Sequence, residues 1–367
     1  MSRFVQLHLL TSYPPANLNR DDLGRPKTAM MGGEPRLRIS SQSLKRAWRT
    51  SEVFERALAG HIGTRTKEMG VTVFNRLYEQ GVKQKDAIAW AKLIAAQFGK
   101  LKTLPEAEKK ELKALDEPAR LETELIETEI EQLAHFSPEE QLLIETLTDA
   151  LAKRKTKPEG DELALLRRQH SAADIALFGR MLASSPMYNT EAAAQVAHAI
   201  SVHAVTVEDD FFTAVDDLNR AEDGAGAAHL GETEFAAGLF YLYLCIDKEL
   251  LIGNLSGNRK LADKTLGALI ECAATVAPTG KQNSFASRAR ASYILCETGE
   301  QQPRALSAAF LRPVARGDML ATAISRLQIT LENMDTVYGA CADTRCAMNA
   351  ADGEGSLKAV IDCAVKA

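Results

Sequence analysis

Residues 33–51 of this chain constrain its fold more than any other stretch. Arg36-Leu37-Arg38-Ile39 alternates charged and apolar side chains, the period of a half-buried strand. Ser40 or Ser41 then offers a side-chain oxygen to free amide hydrogens and starts a helix. Along that helix Gln42, Lys45, Arg46 and Arg49 recur at i, i+3, i+4 and i+7, so they share a face. Leu44, Ala47, Trp48 and Ser51 fall on the other side, which packs inward. The outer flank is a cationic, hydrogen-bonding stripe that begins at a positive helix N-terminus, a geometry suited to phosphates. Spacing alone describes a solvated basic helix face equally well.

Charge along the 367 residues is uneven. The net value of −5 argues against a uniformly basic nucleic-acid binder. Yet residues 1–50 carry nine Lys/Arg against three Asp/Glu, and residues 281–316 six against two. Residues 103–149 carry four against fourteen, and 201–240 one against nine. A polyanion is therefore expected between the first and last basic regions, away from the acidic segments. No charged stretch followed by an apolar one opens the chain, so no signal peptide is expected. The run Leu239 to Ile246 is too short to cross a bilayer. The six cysteines are scattered through the second half without a Cys-x-x-Cys pair, and are read as reduced thiols of a cytoplasmic protein.

Periodicity predicts a first strand over 4–11, stopped by Pro14-Pro15, and a long loop from Ala16 to Glu34 carrying Arg20 and Lys27. Residues 52–180 read as almost entirely helical, with Leu121, Leu125, Ile126, Ile130 and Leu133 forming one apolar stripe. Lys153 to Gly160 is a charged turn. Residues 234–247 form a strand with Phe240, Leu242, Leu244 and Ile246 on one side and Tyr241 and Tyr243 on the other. Lys260 to Val276 is helix, Ser292 to Glu297 strand, and Met319 to Met334 helix. This order fits an antiparallel sheet backed by helices, an α+β class. No internal repeat is visible.

Asn19-Arg20-Asp21-Asp22, Lys27, Gly32-Gly33 and Arg38-Ile-Ser-Ser-Gln-Ser-Leu-Lys-Arg-Ala47 closely resemble the start of one family. It is the CRISPR RNA-binding backbone subunit of the type I-E Cascade complex, CasC (Cse-four type), within the Cas-seven superfamily. Asp174-Ile-Ala-Leu-Phe-Gly-Arg-Met181, Ala197-His-Ala-Ile-Ser-Val-His203, Phe212-Thr-Ala-Val-Asp-Asp-Leu218 and Ala228-His-Leu-Gly231 resemble later words of that family in its order. From Gly339 onward no such word is found, and the Cys341 to Cys346 stretch stays unexplained.

The resemblance implies a modified RNA-recognition-motif (ferredoxin-like) palm with a helical fingers insertion and a β-hairpin thumb. The expected divisions are 1–52 for the first palm part with the RNA-binding loop and helix, and 53–180 for the fingers. Residues 181–202 would be the second palm part, 203–231 the thumb, and 232–367 the third palm part with C-terminal helices. It also implies that Arg20, Lys27, Ser40, Gln42, Lys45 and Arg49 hold the backbone of a guide crRNA, with Arg46 on the same stripe. Relatives often have lysine at position 49. Met181, Phe212 and Thr213 match positions where finger and thumb displace a base, and Lys281 in Gly280-Lys-Gln is a further candidate. The implied partners are crRNA, further copies stacked head-to-tail in an open filament, other Cascade subunits, and target DNA reached through the guide. No cofactor, catalysis or membrane is implied.

Three other readings compete. Asp21-Asp22 with Asp216-Asp217 invites a metal-dependent ribonuclease, since RNA-cleaving relatives use a loop aspartate. His198, His203 and His229 invite a metal site, although satisfied histidines are commoner. A structural protein assembling through its thumb without RNA is the third. No Gly-rich phosphate loop, Gly-x-Ser-x-Gly elbow or His-Glu-x-x-His motif is present.

Overall fold

A computed structural model describes residues 2–111, 114–214 and 229–366. In chain order the elements begin with β1 (Phe4–Ala16), β2 (Thr28–Met31), β3 (Glu34–Ile39), α1 (Ser41–Arg49) and α2 (Glu52–Ala57). Then come β4 (Thr64–Thr66), α3 (Met69–Glu79), α4 (Gln84–Ala95), α5 (Glu106–Glu111), α6 (Glu117–Leu125), β5 (Ala134–Phe136), α7 (Pro138–Arg154) and α8 (Ala173–Phe178). The strands β6 (Ala194–Val196), β7 (Ala199–Ser201), β8 (Glu208–Ala214) and β9 (His229–Asp247) follow. The chain closes with α9 (Lys248–Asn254), α10 (Arg259–Thr275), α11 (Gln282–Phe285), β10 (Ala291–Gly299), α12 (Met319–Tyr338), β11 (Thr344–Asn349) and α13 (Leu357–Lys366). The chain divides into two compact units, one of residues 1–57, 194–248 and 263–367, the other of residues 58–193 and 249–262.

The first unit is built on an antiparallel sheet in the order β11-β10-β1-β9-β7-β3-β2, with β6 and β8 also paired to β9. Its central strands are buried on both faces: Val5, Leu7 and Leu9 on one side of β1, Gln6, His8 and Leu10 on the other. Tyr241, Tyr293, Leu295 and Leu10 pack with Phe310, Ile324 and Leu327 into one apolar cluster. Tyr241 and Tyr243 are therefore core residues, their hydroxyls tied to Leu306 N (2.9 Å) and Gln6 Oε1 (2.8 Å).

Two expectations change in this unit. β1 does not stop at Pro14-Pro15 but runs to Ala16. Its pairing with β10 ends at Thr11, so beyond that point only β9 lies alongside, with a register shift between Tyr13 and Ala16. Proline is tolerated where one strand edge is unpaired or bulged. The segment read as one long loop contains β2, which pairs with β3 through a tight turn at Gly32-Gly33. Both glycines have positive φ (62° and 83°), as a two-residue hairpin turn requires.

The cysteines also differ from expectation. Cys346 on edge strand β11 and Cys363 on α13 form a disulfide, while Cys245, Cys272, Cys296 and Cys341 are free and buried. Their pairing depends on α13 packing against β10 and β11, which no sequence spacing announces.

The second unit is mainly helical around a core of Phe74, Leu77, Trp90, Ile94, Phe136, Ile144 and Leu151. α7 starts at a Ser137–Glu140 capping box with Pro138 in its first turn, and ends at Lys155 in the left-handed region. Two short strands, β4 and β5, interrupt what reads as continuous helix. The stripe expected over 121–133 also breaks, because α6 ends at Leu125 and Leu133 is exposed. No helix among the described residues is long and apolar enough to cross a membrane.

Candidate nucleic-acid interface

The end of β3 feeds α1 through a single capping residue. Ser40 is extended (φ −70°, ψ 145°), and its hydroxyl accepts from Ser43 N at 3.3 Å. Leu44, Ala47 and Trp48 are buried, which turns Gln42 and Arg46 outward and leaves Lys45 and Arg49 half-buried. Burial holds the Lys45 ammonium below the usual lysine range, so this cation is partly stripped of water.

The loop after β1 is drawn onto this junction by asparagines. Asn19 Oδ1 accepts from Ser40 N (2.8 Å), and Asn19 O accepts from Lys27 N (2.8 Å). Asn17 Nδ2 donates to Gly24 O and Glu234 O, each at 2.9 Å. Arg38 N donates to Lys27 O at 2.8 Å. Gly280 closes against the same loop: a Cβ there would lie 2.3 Å from Leu18 O. Arg20, Lys27, the N-terminus of α1 and Lys281 thus converge within one unit. Lys281 also donates to Thr233 Oγ1 on β9.

Phe212 and Thr213 lie elsewhere, on β8, where Phe211 and Phe212 are exposed beside Glu208, Asp209 and Asp210. β8 pairs with the first part of β9, from Glu208 opposite Phe235 to Ala214 opposite His229. Asp216, Asp217, Leu218, Gly224, Gly226 and Ala228 fall outside the described residues. Met181 belongs to the second unit and is 75% exposed. The residues on either side of it are anchored by hydrogen bonds. Arg180, buried before it, donates to Glu140 Oε2 (2.7 Å) and to the carbonyls of His135, Arg167 and Tyr188. Leu182, buried after it, donates its N–H to Asn189 Oδ1 at 2.7 Å. Asp174, in the same sequence word, accepts from Gly63 N and lies 2.8 Å from His135 Nε2. The polar residues of that word do structural work and Ile175, Ala176 and Leu177 are buried, whereas Met181 is presented.

Sequence reasoning gave Arg38 no role in the interface region, and His198 only that of a metal ligand. Arg38 approaches His198 Nδ1 at 3.2 Å, and with Lys27, Thr28, Asp21, Arg25, Val207 and Glu234 it lines a cavity of about 350 Å³. Its alternation with Leu37 and Ile39 was the available signal. The same alternation misled at Arg36, which is fully buried and donates to the carbonyls of Ser201 (3.0 Å) and Phe310 (3.0 Å).

His198 and His203 flank β7. His203 is satisfied by Ala204 O (2.9 Å) and Leu239 N (3.2 Å). Asp21 closes its own turn, accepting from Leu23 N and Arg25 N at 2.9 Å each. Among the described residues no three His, Cys, Asp or Glu side chains form a metal-binding group.

Fold and interface together define an α+β protein with a cationic loop, strand end and helix face gathered beside its antiparallel sheet. The chain belongs to the CT1975-like protein family, whose pattern it matches over residues 5–364. It is similar to a chain of a "CRISPR RNA-guided surveillance complex, pre-nicking", with a TM-score of 0.79 and 29% identity over 99% of both chains. It is also similar in fold to a chain of a "CRISPR RNA-guided surveillance complex", with a TM-score of 0.60 and 24% identity over 99% of this chain and 98% of that one. No curated protein matches it.

Proposed function

We propose that this protein is a crRNA-binding backbone subunit of a Cascade surveillance complex. The observation that carries the reading is the convergence of Arg20, Lys27, Ser40 and the α1 stripe through the Asn17 and Asn19 hydrogen bonds. Family membership and the likeness to surveillance-complex chains support it. The task is to grip a sugar-phosphate chain without reading sequence, since phosphate contacts position and base pairing specifies. Lys45 and Arg49 neutralise phosphates, Arg46 extends the stripe, and Ser40 and Gln42 add hydrogen bonds near the helix N-terminus. Arg20, Lys27 and Lys281 complete the grip. The type I-E assignment rests on the sequence words quoted above.

In this reading the sheet unit is an RNA-recognition-like palm and the helical unit the fingers. The hairpin begun by β8 and β9 is the thumb. Met181, Phe212 and Thr213 displace a base at intervals along the guide, and copies stack head-to-tail as an open filament beside other Cascade subunits. The protein is a scaffold and cuts nothing. The ribonuclease alternative is not favoured, because the Asp21 carboxylate is already committed to its own turn and to Arg25.

The test is purification from the native operon, with sequencing of bound RNA and identification of co-purifying chains. RNA of one repeat-derived class with variable inserts is the expected result; assemblies that form free of RNA would overturn the reading. Asp21→Ala with Asp22→Ala should leave the length of bound RNA unchanged. A Mg²⁺-dependent RNA ladder lost in that double variant would put the nuclease first.

A further inference from the structure

Arg38 differs from the arginines of the sheet unit that are spent on carboxylates. Arg3, Arg304 and Arg345 each meet a carboxylate. The bonds of the Arg38 side chain go to Thr28 O (3.4 Å) and His198 Nδ1 (3.2 Å), and no carboxylate among the described residues pairs with it. A guanidinium has only donors, so His198 Nδ1 accepts and the imidazole is the neutral form with its hydrogen on Nε2. Lys27 lines the same cavity, its backbone pinned on both sides by Asn19 O and Arg38 N. Two half-buried cations therefore line one open space of about 350 Å³.

Acidic groups line that space too. Asp21 is spent on Leu23 N, Arg25 N and Arg25 Nε. Glu234 remains, on β9, so the lining carries three cations, Arg25, Lys27 and Arg38, against two carboxylates. At the His198 corner the balance is cationic: burial first, then the charges of Arg38 and Lys27, hold this histidine below its ordinary range. The lining keeps one net positive charge beside a neutral histidine, which suits one anion.

We infer that Lys27 and Arg38 form a pocket for one phosphodiester group of the bound RNA, and that His198 is the positioning residue that aims Arg38 into it. The inference deepens the RNA-holding reading and rests on it for the identity of the ligand. Neither Arg38 nor His198 belongs to the α1 stripe. They add a phosphate contact at the β3 end, on the side of the loop facing β2.

The experiment is a salt titration of single-stranded RNA binding for the wild type, Arg38→Gln, His198→Ala and His198→Asn, on two RNAs of unrelated sequence. Arg38→Gln should flatten the slope of log affinity against log salt by about 0.7, equally for both RNAs. His198→Ala should weaken binding at low salt. His198→Asn, whose amide oxygen can accept from Arg38, should recover most of the loss; a merely structural histidine would show no such rescue. A second readout needs no RNA. The His198 imidazole is titrated by NMR in inorganic phosphate and in chloride of equal ionic strength. Phosphate should raise its pKa in the wild type and not in Lys27→Gln/Arg38→Gln.

RNA binding by the wild type with an unchanged Arg38→Gln slope and no phosphate effect on His198 would overturn the pocket and leave the RNA reading standing. A phosphate effect on His198 in a protein that binds no RNA would do the reverse. No RNA binding by the wild type together with no phosphate effect on His198 would remove both.

Discussion

Replacing Glu297 by glutamine should change how the stability of the sheet unit depends on pH, by an amount the structure sets. The Glu297 side chain is fully buried on β10. Its oxygens accept from Arg304 Nη1, from Arg304 Nη2 (3.0 Å), from Arg345 Nε (2.8 Å) and from His8 Nε2 (3.1 Å). Arg345 is held in turn by Asp335, at 2.6 and 2.9 Å. Burial alone would raise the carboxyl. Hydrogen bonds from His8, Arg304 and Arg345 outweigh it and bring the pKa from 4.5 down to about 2. Burial also keeps His8 below the usual histidine range, so the two arginines supply the positive charge.

A drop from 4.5 to about 2 corresponds to about 3 kcal/mol of stability. Because the folded value is the lower one, that contribution is complete above pH 4.5 and is lost as pH falls toward 2. At pH 7, Glu297→Gln leaves Arg304 without its carboxylate in a buried site, a cost of about 3–5 kcal/mol. The gap between wild type and variant should then narrow by about 3 kcal/mol between pH 6 and pH 2. The chain has two tryptophans, Trp48 in the sheet unit and Trp90 in the helical unit. In a Trp90→Phe background, Trp48 fluorescence during urea unfolding reports on the sheet unit alone. A gap that stays constant with pH would mean the arginines do not hold the carboxyl down, and the argument would fail.

Lys45→Ala with Arg49→Ala should flatten the salt dependence of RNA binding by about 1.4 per subunit, with equal loss for unrelated guides. A loss that depends on guide sequence would mean the stripe reads bases. Trp48→Ala should cost about 3–5 kcal/mol of stability, since the ring is 1% exposed. Trp48→Phe should cost far less, because the indole N–H has no hydrogen-bond partner; chemical denaturation of the two variants separates ring packing from polar contact. Gly32→Ala should disturb the β2–β3 hairpin more than Gly33→Ala. Both residues have positive φ, but only at Gly32 would the added Cβ fall 1.7 Å from Leu311 O. Thermal midpoints of the two variants give the comparison, and equal shifts would refute the steric account.

Local patterns were enough for the elements of this fold whose cause is local. The α1 helix follows from a cap, a periodic apolar face and a cationic face within nine residues, and the structure buries Leu44, Ala47 and Trp48 as the spacing requires. The core strand through Tyr241 and Tyr243 and the long helices α10 and α12 were legible for the same reason. Tertiary structure alone decided features whose partners are distant in sequence. Pro14-Pro15 can sit within β1 only because β10 has already ended there. Arg36 is buried, against its charge, because carbonyls of Ser201 and Phe310 are waiting to accept its hydrogens. Cys346 meets Cys363 only once α13 packs on the sheet edge. Arg38 faces His198 only because β3 pairs with β7, aligning Arg38 opposite Ile200 across 162 positions of chain. A side chain's type and spacing set which face it prefers; which polar groups await it there is fixed by strand pairing, and pairing is a non-local choice.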